Sequence, residues 1–227
     1  MKKSFGIRIH KEGRKLVAYF LLVLVVINLA CFIWTGVYFV TTLVISAVLM
    51  FFFANFFRNP KRLHNTDDPY EIVAPADGKI VVIEPVFENE VLHCQCLQLS
   101  IFMSVTDVHV NWYPFQGRVA YYRHQNGRYQ AAFLPKPSTE NERSSIVLKA
   151  DINGQDVLVR QIAGAMARRI VTYAYTGRRC SVNEHLGFIK FGSRVDLYFP
   201  LDSVDICCKL GDHVKGNTDV IAKFRRQ

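Results

Sequence analysis

The most informative segment of the chain is Gly187-Phe188-Ile189-Lys190-Phe191-Gly192-Ser193-Arg194-Val195-Asp196-Leu197-Tyr198-Phe199-Pro200. Around its centre apolar and polar residues alternate, a pattern that predicts a β-strand, and Pro200 ends the run. The pair Gly192-Ser193 stands in the middle of this strand, where a glycine costs stability and has no side chain to pack. Such a pair can mark a bulge or a close approach of two backbones. It can also be reactive, because the hydroxyl of Ser193 is able to attack the unshielded carbonyl carbon of Gly192.

Composition divides the chain of 227 residues, which has a net charge of +9, into two parts. Residues 1–57 combine a basic N-terminus with two long apolar runs, whereas residues 58–227 have the mixed composition of a soluble domain. The chain is long enough for one domain and an additional membrane segment. We therefore predict a membrane anchor over residues 1–57 and a globular domain over residues 58–227.

The two apolar runs are Leu16–Trp34 and Val37–Phe57, joined by a turn at Thr35-Gly36. At about 1.5 Å per residue, each run is long enough to cross a hydrocarbon core roughly 30 Å thick. Lysine and arginine flank the outer ends of both runs, and the connection has neither. By the positive-inside rule, both ends of a two-span hairpin face the cytoplasm. The prediction is a protein of the cell (inner) membrane with a cytoplasmic domain.

Two alternatives to a spanning hairpin stay open. The first run has the position of a secretory signal peptide, but a second long run follows directly and no convincing small-residue cleavage site separates them. The hairpin is also compatible with embedding in the membrane interface without crossing it.

Charge and cysteine content restrict the partners. A basic excess attracts nucleic acid or an anionic membrane surface, and the apolar runs favour the membrane, so no nucleic-acid partner is predicted. The six cysteines are irregularly spaced and do not resemble a disulfide framework. The segment His93-Cys94-Gln95-Cys96 has metal-ligand residue types, but no second cluster with structural-zinc spacing accompanies it. We predict a reducing compartment and no metal site.

From Glu71 onward, short β-runs alternate with turn residues, which predicts a mostly β domain. Residues 72–83 indicate a strand, a tight turn at Asp77-Gly78 and a second strand. A second segment of this domain is Gly211–Ala222. Together with Ala74–Val82 it resembles the paired hairpins of biotinyl and lipoyl carrier domains, which form a barrel-sandwich. No lysine stands at the hairpin tip, as a carrier would require, so the likeness concerns architecture.

Several blocks, in the same order along the chain, resemble the short-type phosphatidylserine decarboxylases of prokaryotes, which are made as proenzymes and depend on a pyruvoyl group. These blocks are Phe57-Arg58-Asn59-Pro60, Pro75-Ala76-Asp77-Gly78, Asp107-Val108-His109-Val110-Asn111, Glu140-Asn141-Glu142-Arg143, Ala163–Arg169 and Phe191–Tyr198. The resemblance implies a barrel-sandwich-like decarboxylase domain behind the membrane hairpin.

The resemblance also implies the chemistry. Self-cleavage between Gly192 and Ser193 converts Ser193 into the covalent pyruvoyl cofactor and leaves fragments 1–192 and 193–227, which stay together as a heterodimer. In this scheme His109, oriented by Asp77, removes the proton of the Ser193 hydroxyl, as in other activated-serine sites. His109 is also the candidate general acid in the decarboxylation itself.

The implied substrate is phosphatidylserine in the membrane, which loses CO₂ to give phosphatidylethanolamine. Arginine pairs bidentately with phosphate, so Arg58, Arg168 and Arg169 are candidate contacts for the lipid phosphate. The chain departs from the family pattern at Asn59, where an acid is usual, and at Trp112, where long-type members have a second histidine. Two other functions stay open: decarboxylation of another serine-headgroup lipid such as archaetidylserine, and a non-enzymatic, membrane-anchored adaptor.

Overall fold

The computed structural model of the protein describes residues 8–34, 36–127, 141–164, 169–190 and 193–226. Gly192 and Arg168, both named in the sequence analysis, lie outside the described residues. The chain divides into two compact units, residues 1–61 and residues 62–227.

The first unit contains two helices, α1 (Lys11–Trp34) and α2 (Phe39–Phe56), and both are long and apolar enough to cross a membrane. The predicted pair of apolar helices is confirmed. α1 begins earlier than the apolar run, since the preceding polar residues, with Glu12 in the first turn, continue the helix. Within the hairpin the side-chain amide of Asn28 donates to Ser46 Oγ over 2.7 Å, a polar contact of the kind that joins helices in apolar surroundings.

The two ends of this hairpin lie side by side. The backbone N–H of His10 donates to the carbonyl of Phe57 over 2.8 Å, and the N–H of Asn59 donates to the carbonyl of Arg8 over 2.6 Å. Gly13 permits this contact, because a Cβ at that position would lie 2.4 Å from the ring of Phe57. Entry into and exit from the hairpin are therefore at the same end.

The second unit is mostly β, as predicted, and all of its strand pairs are antiparallel. Its strands are β1 (Glu71–Val73), β2 (Gly78–Glu88), β3 (Cys94–Met103), β4 (Val110–Trp112), β5 (Gly117–Gln125), β6 (Arg143–Ala150), β7 (Asp156–Ala163), β8 (Ile170–Thr172), β9 (Arg179–Cys180), β10 (His185–Ile189), β11 (Ser193–Pro200), β12 (Val204–Ile206), β13 (His213–Val214) and β14 (Val220–Phe224).

These strands form three sheets. A curled, eight-stranded sheet has the order β13-β2-β3-β11-β7-β6-β5-β9, and two three-stranded sheets have the orders β4-β10-β8 and β1-β14-β12. β11 lies inside the large sheet, between β3 and β7, and every residue from Ser193 to Phe199 is buried. Val195, Leu197 and Phe199 on one face belong to the main core, and Tyr198 on the other face belongs to a smaller apolar cluster. The strand is therefore paired at both edges and covered on both faces.

The structure corrects the interpretation of Gly187–Pro200 as one strand. β10 ends at Ile189 and pairs with β4 and β8, whereas β11 begins at Ser193 and pairs with β3 and β7. The alternating pattern continued across a change of sheet, because residues on both sides of that change face apolar neighbours. Ser193 is thus the first residue of a strand.

The two strands predicted around Asp77 are present, with a bend between them, but they do not pair as a hairpin. β1 pairs with β14, and β2 pairs with β3 and β13, so the two strands belong to different sheets. The segment Ala74–Asp77 connects these two sheets, and Asp77 is its last residue before β2. Because these pairing partners are distant in sequence, a local sequence pattern does not reveal them.

Candidate active site

Ser193 stands at the start of β11, opposite Met103 on β3 and Ala163 on β7, and it is fully buried. Its hydroxyl donates to the sulfur of Met103, with Oγ and Sδ 3.2 Å apart. A thioether is a weak acceptor and is not a base at neutral pH. In this arrangement the Ser193 hydroxyl is therefore oriented but keeps its proton.

His109 lies directly before β4 and is also fully buried. Its Nδ1 is 2.9 Å from the backbone carbonyl oxygen of Asp107. Because a carbonyl oxygen only accepts, Nδ1 must carry the hydrogen, and in the neutral ring the lone pair is then on Nε2. The ring is held in the tautomer that a base acting through Nε2 requires.

The turn that presents His109 is closed by Asp107. The carboxylate of Asp107 accepts the backbone N–H of Ser104 over 2.8 Å, and the N–H of Asp107 donates to the carbonyl of Ser104 over 3.0 Å. Short polar side chains stabilise turns by such local bonds. In the sequence Asp107 is only one residue of a motif block, whereas in the structure its backbone carbonyl orients the ring of His109.

Two short stretches of backbone bring His109 and Ser193 into the same region. The N–H of Ile189 donates to the carbonyl of His109 over 3.2 Å, and the chain from Ile189 to Ser193 can span at most about 14 Å. On the other side, Met103 contacts the Ser193 hydroxyl and leads through one turn to His109. The two predicted residues therefore lie in the same part of the domain, and that they act together stays a prediction.

Asp77 is buried and its carboxylate is paired. Oδ1 accepts the backbone N–H of Gly216 over 2.8 Å, and the guanidinium of Arg62 binds both carboxylate oxygens, with Nη2 and Oδ2 2.8 Å apart. The connection that carries Asp77 is joined to β4, since the N–H of Trp112 donates to the carbonyl of Pro75 over 2.9 Å. The hydrogen bonds described for Asp77 go to Arg62 and Gly216, and orientation of His109 by Asp77 stays a prediction.

Trp112 occupies the position at which long-type members have a second histidine, and here it is a packing residue. The ring is 2% exposed, and the guanidinium of Arg62 lies 5.5 Å from its centroid. A Cβ on Gly216 would lie 2.7 Å from the ring, so only glycine fits there. The ring of Trp112 packs against the guanidinium of Arg62, which pairs with Asp77. The indole has no group that exchanges a proton near neutral pH.

Burial removes two neighbouring side chains from acid–base chemistry at neutral pH. It raises the pKa of Tyr113, which follows β4, to about 12, and it raises the pKa of Cys180 to about 12. Both groups stay protonated. Among the described residues, no group of three or more His, Cys, Asp or Glu side chains has the arrangement of a metal site.

The candidate phosphate contacts are placed as follows. Arg58 donates from Nη1 to the carbonyl of Asn55 over 2.9 Å and so caps the end of α2. Arg169 is exposed directly before β8, and its carbonyl accepts the N–H of Lys190 over 3.4 Å. A role for these arginines or for Arg168 in lipid binding remains a prediction.

A mostly β domain that contains a buried serine and a buried histidine, and that follows two apolar helices in the chain, fits the class of enzymes that act at a membrane. Comparison with known proteins identifies it further: the chain belongs to the phosphatidylserine decarboxylase family, whose model matches residues 49–222. The family predicted from the motif blocks is thereby confirmed.

Three bacterial relatives are each named phosphatidylserine decarboxylase proenzyme. The protein of Parabacteroides distasonis is 49% identical and covers 96% of this chain and 100% of its own length. The protein of Bacteroides fragilis is 50% identical over 99% of each chain. That of Cytophaga hutchinsonii is 42% identical over 95% of this chain and 98% of its own. The likeness includes the membrane hairpin as well as the β domain.

Replacing Arg62 by glutamine is expected to destabilise the β domain. The change leaves the Asp77 carboxylate buried without its cation, and breaking a largely buried ion pair costs about 3 kcal/mol. For a unit of this size that lowers Tm by roughly 6–12 °C. Thermal unfolding followed by circular dichroism checks this. The matched control is Arg225→Gln, which removes the exposed partner of Asp205 and should leave Tm almost unchanged; equal effects of the two changes would contradict the importance of the Arg62–Asp77 pair.

Proposed function

We propose that this chain is a membrane-anchored decarboxylase that converts phosphatidylserine to phosphatidylethanolamine with a pyruvoyl group made from its own Ser193. The observation that carries the proposal is that relatives named phosphatidylserine decarboxylase proenzyme match nearly the whole chain. The burial of Ser193, a short length of chain from the contact between Ile189 and His109, supports the proposed origin of the pyruvoyl group. An adaptor would need neither the buried hydroxyl nor the defined tautomer.

The first stage is self-cleavage. The Ser193 side chain rotates from Met103 Sδ toward Nε2 of His109, which takes the hydroxyl proton. Oγ attacks the carbonyl carbon of Gly192, the peptide C–N bond breaks, and an ester links Gly192 to the Ser193 side chain while the Ser193 amine is released. Elimination then removes the proton on Cα of residue 193, breaks the bond between Cβ and Oγ and leaves a carboxylate on Gly192. Hydrolysis of the remaining unsaturated amine consumes one water, releases one ammonia and leaves a pyruvoyl group at residue 193.

The surroundings of Ser193 fit such a group. A pyruvoyl group is small and uncharged, and Ser193 lies between Met103 and Ala163 in the interior of the domain, away from water. Once formed, its ketone supplies the electron sink that loss of CO₂ from an α-amino acid requires, as pyridoxal does in other enzymes. His109 is placed to return a proton to the substrate carbon that has lost CO₂, because imidazole exchanges protons near neutral pH.

The two fragments, 1–192 and 193–227, are proposed to remain a heterodimer. The small fragment supplies β11, which lies between β3 and β7, and β14, which pairs with β1, so it contributes strands to two sheets. Its loss would expose the main core, whose members include Val195, Leu197 and Phe199. Cleavage of one bond therefore leaves the fold intact.

The proposed location is the inner membrane with the β domain in the cytoplasm. The first and last residues of the hairpin are hydrogen-bonded neighbours, and basic residues are present at both of these ends, among them Arg14, Lys15, Arg58 and Lys61. Positive charge at one end of a hairpin favours the cytoplasmic side of a membrane. A lipid substrate then reaches the enzyme without leaving its bilayer.

The activity is tested by incubating the purified full-length protein with phosphatidylserine in detergent micelles. We expect release of CO₂ and accumulation of phosphatidylethanolamine, and we expect hydroxylamine, which reacts with ketones, to abolish both. Phosphatidylcholine in the same micelles is the control substrate and should not react. Turnover that survives hydroxylamine would contradict a pyruvoyl-dependent reaction, and no turnover by the cleaved protein would contradict this substrate.

A further inference from the structure

We infer that a relay of buried hydrogen bonds, from Thr172 through Gln161, Asn111 and Met103 to Ser193, positions the Ser193 hydroxyl for self-cleavage and has no part in the later turnover. We call it the positioning relay. The inference rests on the proposed function, because it concerns how the uncleaved chain reacts.

The positioning relay is continuous. Thr172 Oγ1 is 2.6 Å from Gln161 Oε1, and Gln161 Nε2 is 2.7 Å from Asn111 Oδ1. Asn111 Nδ2 is 3.7 Å from Met103 Sδ, the same sulfur that lies 3.2 Å from Ser193 Oγ. Every step joins two side chains, so substitutions can interrupt the relay without changing backbone hydrogen bonds.

The relay also has one direction. Gln161 accepts from the Thr172 hydroxyl with its amide oxygen, so its amide nitrogen must face Asn111. Asn111 accepts with its own oxygen, and its nitrogen is then turned toward Met103. The sulfur receives two donors, one from Asn111 and one from Ser193. Reversing either amide would oppose like groups, so the orientation of one member fixes the others.

The members lie on two different sheets. Asn111 on β4 and Thr172 on β8 belong to the sheet that follows directly from His109, whereas Met103, Gln161 and Ser193 belong to the large sheet. The relay is therefore a polar connection between the strand next to the proposed base and the strand that begins with the proposed nucleophile. In the uncleaved chain this connection orients the Ser193 hydroxyl.

Burying the polar side chains of the relay lowers the stability of the fold unless they are hydrogen-bonded. Asn111 and Gln161 are fully buried, and a buried amide lowers stability unless it is hydrogen-bonded. Gly187 on β10 leaves space for one of them: a Cβ there would lie 2.9 Å from Gln161 Nε2 and 2.2 Å from the carbonyl oxygen of Val171. Apolar side chains of similar size would fill this space without polar groups, so the relay serves the geometry of the site.

The relay ends on an atom that exists only before maturation. Conversion of Ser193 to a pyruvoyl group removes the hydroxyl that Met103 binds. The relay can therefore act on the rate of cleavage, while its contact with residue 193 is lost in the mature enzyme. Thr172, Gln161, Asn111 and Met103 are positioning residues, since in this scheme they touch neither the lipid nor the carbonyl of Gly192.

The experiment uses the full-length chain in detergent and two pairs of variants. Thr172→Val removes the hydroxyl but keeps the branched shape, and Thr172→Ser keeps the hydroxyl. Gln161→Met keeps the length of the side chain without its polar groups, and Gln161→Glu keeps the acceptor for Thr172. Pulse labelling gives the rate of cleavage. Turnover per pyruvoyl group, counted by trapping with a labelled hydrazide, gives the activity of the molecules that have matured.

We expect Thr172→Val and Gln161→Met to cleave roughly tenfold to a hundredfold more slowly, since small displacements of reacting groups have effects of that size. Thr172→Ser should cleave close to the normal rate, Gln161→Glu should be intermediate, and turnover per pyruvoyl group should stay within about twofold in all four. Normal cleavage in Thr172→Val and Gln161→Met would overturn the inference, and so would an equal loss of cleavage and of turnover per group.

Misfolding is separated from positioning by a second measurement. Each substitution is also made in a chain with Ser193→Ala, and its Tm is compared with that of Ser193→Ala alone. A slow variant whose Tm is nearly unchanged supports positioning, whereas slow cleavage that simply follows loss of Tm across the four variants contradicts it. If the chain with no substitution does not cleave, the proposed function itself is contradicted. If that chain cleaves and the variants cleave equally fast, only the positioning relay is contradicted.

Discussion

Changing Ser193 to alanine is expected to yield one full-length chain with no decarboxylase activity. The substitution removes the only atom proposed to attack Gly192, at a position that is fully buried in the large sheet. Uncatalysed hydrolysis of a peptide bond is negligible on the time scale of expression. A denaturing gel of freshly purified protein shows the outcome directly, with two bands for the unchanged chain and one for the variant.

A second buried serine is the matched control. Ser100 lies on β3 opposite Asp196 and is also fully buried, but it is distant from the start of β11 in the strand register. Ser100→Ala should cleave normally. The account of self-cleavage would be wrong if Ser193→Ala still gave fragments ending at residue 192, or if Ser100→Ala blocked cleavage to the same degree.

Replacing His109 by asparagine is expected to slow self-cleavage by about 10²–10⁴-fold, the usual contribution of a positioned acid–base group. Asparagine keeps an N–H donor near the position of Nδ1 and so preserves the bond to the Asp107 carbonyl. It lacks the Nε2 lone pair that is proposed to take the Ser193 proton. Pulse labelling followed by chase measures the rate at which the full-length band disappears.

The control for this prediction is His213→Asn, which changes an exposed histidine on β13. Its cleavage rate should equal that of the unchanged chain. A rate for His109→Asn within about twofold of the control would show that another group removes the proton, and the tautomer of His109 would then have no chemical role.

Features carried by local patterns could be predicted from the sequence. The two apolar runs gave the helices α1 and α2, because length and composition alone decide whether a helix can cross a membrane. Alternation and turn residues predicted a mostly β domain, and the structure confirms it. The motif blocks led to the family, which is confirmed, and to Ser193 and His109, whose roles stay predictions.

What depended on distant parts of the chain could not be predicted. Arg62 follows the second apolar run and was counted only among the flanking positive charges, yet its guanidinium pairs with Asp77. Its partners Asp77 and Gly216 come from a connection and a turn that are far apart in sequence. The division of Gly187–Pro200 between two sheets was missed for the same reason, since it is set by β4 and β3.

The polar residues of the positioning relay were also difficult to recognise from the sequence. Asn111 belonged to a motif block without a stated role, and Gln161 is one polar residue in a strand whose other members are mostly apolar. A polar residue at an inward position of a buried strand is a signal that could have been followed, because such residues need partners. Periodicity shows that the position is buried but does not name the partner.

The most direct measurement is the intact mass of the purified protein under denaturing conditions. We predict two species, residues 1–192 and residues 193–227, with the smaller one lighter by one ammonia than a fragment that begins with serine, and a native mass that contains both. A single full-length mass from protein that is active on phosphatidylserine, or a small fragment that begins with an unchanged serine, would contradict the proposed origin of the cofactor.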